Sequence, residues 1–69
     1  MNEIELKINL KYLINKYISD EFRRNELLDL INKDVGCAKY VIYSIDQFKT
    51  EKYDDKDRIL IKDIAYYFI

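Results

Sequence analysis

The sequence predicts an all-α fold, a compact domain of three or four short helices, and three observations carry that expectation. Proline is absent and glycine occurs once, so little interrupts a helix along most of the chain. Apolar residues recur at intervals of three and four through most of the length. Residues suited to cap helix N-termini, Asn2, Ser19-Asp20 and the Asp54-Asp55 pair, stand just ahead of those periodic stretches. With 69 residues there is material for one core, so 1–69 reads as a single domain.

The first helix starts at Asn2, which together with Glu5 forms the spacing of a capping box. Leu6, Leu10, Leu13, Ile14 and Tyr17 then share one face, and Lys16 stands near the carboxyl end, where the helix dipole favours a cation. A second reading stays open here. Ile4, Leu6, Ile8, Leu10 and Tyr12 alternate with polar residues, which suits a strand. The second helix follows Ser19-Asp20, with Asn25 as another candidate start, and runs through Leu27, Leu28, Leu30 and Ile31 to about Lys33. Gly36 then marks a tight connection or a left-handed cap. From about Ala38 a third helix places Ala38, Val41, Ile45 and Phe48 on one face. After the cluster Asp54-Asp55-Lys56-Asp57, a last helix shares Ile61, Ile64, Ala65 and Phe68. A closing strand is the alternative, which would make the fold α+β with N-terminal and C-terminal strands. The tail Ile64 to Ile69 is apolar throughout and calls for burial, in the core or against another chain.

Composition narrows the function classes. Histidine is absent and Cys37 is the lone cysteine, so the sequence lacks an internal disulfide, a structural zinc set, and a Ser-His or Cys-His nucleophile. An enzyme is not expected, nor a metal, a cofactor or a small-molecule substrate. Twelve basic and thirteen acidic residues leave a net charge of −1, so phosphate binding would need a local patch and not bulk charge. The acidic start and the short longest apolar run carry no secretion signal or membrane span, and cytoplasm is the default expectation. Ile, Lys, Asn and Tyr make up 32 of 69 residues, a usage that points to an AT-rich genome such as that of a phage or other mobile element.

The segment Leu28 to Ile45 carries the sharpest pattern. With Gly36 at the turn, Ile31 and Val35 face inward from the helix before it, and Ile42 and Ile45 from the helix after it. Over residues 28–47 this resembles a helix-turn-helix DNA-binding motif, which implies that the second helix enters a major groove. On that resemblance Lys39, Tyr40, Tyr43, Ser44 and Gln47 face DNA, while Arg23, Arg24 and Lys33 hold backbone phosphates. The chain departs from the motif at Asn32, where the family has a small residue, and its reading face holds no arginine. The expected function is a small transcriptional regulator acting as a homodimer.

The alternative is a stoichiometric inhibitor or immunity protein that binds a protein target. Seven tyrosines supply contact area suited to an interface, with Tyr12, Tyr53, Tyr66, Tyr67 and Ile69 as candidates. Asp46, Glu51, Asp54, Asp55 and Asp57 could meet a basic partner. A shorter stretch, Ile18-Ser19-Asp20-Glu21-Phe22 with the later Asp-rich loop, resembles helical immunity proteins of the colicin D type.

Overall fold

Asn2 begins the first helix in the expected way. Its Oδ1 accepts the Glu5 N–H at 2.8 Å, and its amide donates to Glu5 Oε1 at 3.1 Å. The helix, α1 (Glu3–Tyr17), buries Leu6, Leu10, Leu13, Ile14 and Tyr17 on one side. The computed structural model describes residues 1–67. The strand alternative for the N-terminus is thereby overturned. Ile4 and Ile8, which alternate with Leu6 and Leu10, are 70% and 61% exposed. The 3.6-residue period, and not alternation, decides which side chains meet the core.

Asp20 caps α2 (Glu21–Lys33) by accepting the Arg23 N–H at 2.9 Å, so Asn25 lies inside the helix instead of starting it. Leu27 and Ile31 are its buried residues, and Leu28 and Leu30 pack against the core from its flanks. Asp34 ends the helix in extended backbone, and its carboxylate accepts the Gly36 N–H at 2.8 Å. A single 3-10 turn, Val35–Cys37, then leads straight into α3 (Ala38–Phe48). Gly36 has no positive φ, which corrects the expected left-handed cap. What it provides is room, since a Cβ there would lie 3.0 Å from Asp34 Oδ1.

Packing around this connection follows the expected apolar positions. Ile31 and Ile45 are buried, with Val35 and Ile42 partly buried against the core. Asn32 is exposed, so no close helix approach occurs where the resembled motif has its small residue. Any tight pair of helices packs in this manner, and nothing in the geometry singles out a DNA-binding motif. α3 buries Ala38, Val41, Ser44 and Ile45, while Phe48 stays 40% exposed beneath the Arg23 guanidinium, 3.6 Å from its ring centre.

Asp54 opens α4 (Asp55–Tyr67) by accepting the Asp57 N–H at 2.8 Å. The C-terminal strand alternative is overturned for the described residues, which contain four α-helices and no strand. Ile64 is buried and Ile61 partly so, but Ala65, Tyr66 and Tyr67 are exposed. The expectations placed on Phe68 and Ile69 lie outside the described residues. The fold measures 29 × 29 × 16 Å. Its thin dimension leaves room for two layers of helices, whose axes pack about 9 Å apart, and not for three.

The core therefore rests on α1, which contacts every other helix. Leu10→Ala should lower unfolding free energy by about 2–5 kcal/mol in urea denaturation, as expected when a fully buried leucine leaves a cavity. Ile4→Ala on the opposite face should change it by no more than about 0.5 kcal/mol.

Candidate functional site

Three surface features could carry function, and a buried polar cluster positions one of them. That cluster grows from the spacing of Tyr12, Lys16 and Tyr17 at the end of α1. Tyr12 and Lys16 are one turn apart, and Tyr17 follows on the buried side. Against them α4 brings Asp57, whose side chain is completely buried. Tyr12 donates to Asp57 Oδ1 at 2.9 Å. Lys16 donates to Oδ2 at 2.8 Å, and the Tyr17 hydroxyl donates to the same oxygen. Lys16 spends its other donors on Asp54 at 2.7 Å and the Tyr12 oxygen at 3.2 Å. Tyr17 also holds the α3–α4 connection, its carbonyl accepting the Thr50 N–H at 3.1 Å and its hydroxyl the Asp54 N–H at 3.3 Å.

Burial alone would raise the Asp57 pKa, but the bonds from Lys16, Tyr17 and Tyr12 outweigh it and hold the carboxyl below its ordinary 3.8. The bond to Lys16 likewise lowers Asp54. Lys16 is raised above its ordinary 10.5, first by Asp54 and then by Asp57. Burial, reinforced by the Asp57 carboxylate, raises Tyr17. Three donors occupy the Asp57 carboxylate, so it acts as a tie between α1 and α4. Here the structure corrects the expectation that the acidic stretch as a whole forms an outward surface. Asp46, Glu51, Asp54 and Asp55 are exposed, and Asp57 is the helix anchor.

The first surface is the outer face of α3. Tyr40, Tyr43 and Gln47 follow at three and four residues and form one exposed row, with Lys39 beside it. Tyr40 and Tyr43 are 55% and 66% exposed. Ser44 does not join them, a correction to the expected reading face, because it sits at the inner edge of the row and is buried on the core side. Of the expected phosphate contacts, Lys33 is exposed, Arg24 is half-buried, and Arg23 is stacked on Phe48.

The second surface is the groove between α1 and α4, about 470 Å³ in volume, bordered by Ile8, Tyr12, Ile59, Leu60, Lys56 and Asp63. Tyr12 lies here half-exposed with its hydroxyl engaged, while Tyr66 and Tyr67 stand exposed further along α4. Ile8 and Ile59 escaped the sequence reading of the interface, Ile8 because it counts toward the alternating strand pattern and Ile59 because it lies off the face of the last helix. A helical wheel of α1 would have placed Ile4, Ile8 and Tyr12 together opposite the leucines. The third feature is the acidic outer face of α2, where Glu26 and Asp29 are exposed beside Phe22, itself 77% exposed. Among the described residues no group of three or more Cys, His, Asp or Glu is placed to hold a metal ion. No helix of the described residues is long and apolar enough to cross a membrane.

Tyr53 departs from its expected interface role. It is half-buried, its ring meets Tyr17 edge-on at 4.9 Å, and its hydroxyl is buried without a partner among the described residues. Burial, aided by the charge of Asp46, pushes its pKa up to about 12.

Two predictions follow from this chemistry. Asp57→Ala strands three donors beside α4 and should cost at least about 2 kcal/mol of stability at neutral pH. Because the folded Asp57 pKa lies below the unfolded value, its contribution is complete above about pH 4 and is lost as pH falls through the lower folded value. The Lys16 contribution is complete below about pH 10 and lost at higher pH. Urea midpoints across pH should therefore fall at acid pH in the native chain, and less steeply in Asp57→Ala. By contrast, Tyr53→Phe removes an unpaired buried hydroxyl, so it should leave stability unchanged or raised. In an ultraviolet titration it should also remove the phenol that ionises near pH 12.

Compared with known proteins, the chain matches no family model, no curated protein and no solved structure.

Proposed function

We propose that the chain is a small protein-binding module of the inhibitor or immunity type, which docks a basic protein partner through the outer faces of α2 and α3. The observation that carries this reading is where the charges lie. Asp57 is the one buried acid, and the remaining twelve of thirteen acidic residues are exposed. Of the twelve basic residues, Lys7, Lys11, Arg23, Arg24 and Lys49 are half-buried. The outer faces of α2 and α3 expose Glu21, Glu26, Asp29 and Asp46 against Lys33 and Lys39, a local acidic excess that attracts a cationic protein and disfavours phosphates. The exposed Tyr40 and Tyr43 supply the large, stiff contact area typical of protein interfaces. The short resemblance to colicin D-type immunity proteins agrees with this assignment.

A DNA-binding regulator of phage or other mobile origin, working in the cytoplasm, is the second reading. It is favoured by the exposed row of Lys39, Tyr40, Tyr43 and Gln47 on a helix that follows a tight turn. Against it, that row has one cation, and Asp46 is exposed on the same helix.

The two separate in a single pair of measurements. On the protein-binding reading, the chain ignores duplex DNA at low salt in fluorescence anisotropy. It captures one protein at equal stoichiometry, and the double variant Tyr40→Ala/Tyr43→Ala weakens that complex at least about 100-fold, the scale of two interface anchors. Duplex binding that falls steeply with salt and weakens in Lys39→Ala would overturn the assignment in favour of the regulator.

A further inference from the structure

We propose that the groove between α1 and α4 is a self-complementary dimer surface, in which α4 of one copy lies antiparallel on α4 of a second. Along α4, Lys56, Ile59, Asp63 and Tyr66 follow at three, four and three residues and form one exposed ridge. Ile59 is 61% exposed and Tyr66 72%. Across the groove, α1 contributes Ile8, 61% exposed, and Tyr12, whose ring is held in place by its bond to Asp57. The apolar centre of the groove thus has one charge of each sign on its α4 rim.

The order of those charges identifies the occupant. A two-fold interface presents the same patch twice, so each charge must find its opposite within that patch. Lys56 and Asp63 are seven residues apart, two helical turns or about 10 Å. A two-fold axis crossing α4 midway, between Ile59 and Leu60, places each Lys56 against the Asp63 of the other copy. Both Ile59 side chains then meet near the axis. Neither Lys56 nor Asp63 has an ion-pair partner among the described residues, so both are available. A partner of one charge sign would leave one of the two facing its like. A second copy satisfies both. This surface lies on α1 and α4, so it is independent of the α2–α3 faces assigned to the protein target.

Sedimentation equilibrium from about 1 μM to about 1 mM tests the proposal, with circular dichroism confirming that each variant stays helical. The native chain should pass from monomer to dimer within that range. Lys56→Asp alone and Asp63→Lys alone should each weaken dimerisation about tenfold or more, since each replaces two attractive contacts with two repulsive ones. An equimolar mixture of those two variants should dimerise as well as the native chain, because the heterodimer restores opposite charges at both ends. Ile59→Glu should leave a monomer. A native chain that stays monomeric throughout overturns the proposal. So does a dimer indifferent to the charge reversals, or a mixture of the two variants that regains nothing.

Discussion

The arrangement of the last helix depends on one buried carboxylate. Asp57 is a charge with no water contact, and an isolated ion in that position would be expelled or neutralised. It stays because α1 delivers three donors to it from adjacent turns, Tyr12, Lys16 and Tyr17. Apolar contact alone gives α4 little hold on the rest of the molecule. Ile64 is its fully buried hydrophobic residue, with Leu60 and Ile61 partly buried. Hydrogen bonds are directional where apolar contact is not, so the tie sets the rotation of α4 about its axis as well as its attachment. That rotation puts Ile64 into the core and leaves Ile59 and Tyr66 outside.

A two-layer fold of this size follows the same logic elsewhere. One helix, α1, supplies five of the twelve buried apolar residues among those described, and the other helices bury one to three each. The chain carries more large hydrophobic side chains than two layers can enclose, and Ile4, Ile8, Phe22, Tyr40, Tyr43, Ile59 and Tyr66 are left at least half exposed. Several of them are not scattered singly. Ile8 and Ile59 border one groove, and those of α3 form a row, which is the distribution expected of contact surfaces.

The helical skeleton was legible because its signals are local. Capping at Asn2 and Asp20, the α1 face from Leu6 to Tyr17, and the start of α3 at Ala38 all depend on residues within a turn or two of each other. The outward set of α3 was legible in part for the same reason, Ser44 being misplaced by one position around the helix. What escaped depends on residues far apart in sequence. Asp57 sits in a run of exposed acids that reads as a solvated cap, and its donors lie 40 to 45 residues earlier. The edge-on contact of the Tyr53 ring depends in the same way on Tyr17, which α1 delivers to the α3–α4 connection. The one local hint was the Asp54-x-x-Asp57 spacing, which marks a helix start but gives no indication that its second acid turns inward.

The charge count needs the same three-dimensional correction. Twelve bases and thirteen acids suggest an evenly balanced surface, yet the two signs are used differently by the fold. Long basic side chains can lay their stems along apolar surface, and here Arg23 covers Phe48 while Lys49 stands over Tyr53 at 4.9 Å. Short carboxylates have no such stem, and all but Asp57 remain in water. The one acid taken inside is held by Lys16, which stays at the surface with its side chain 32% exposed. The half-buried cations of α1, α2 and the end of α3 cover the core with their stems, so the fold uses its bases as a screen over apolar surface and its acids as caps and, at Asp57, as an anchor.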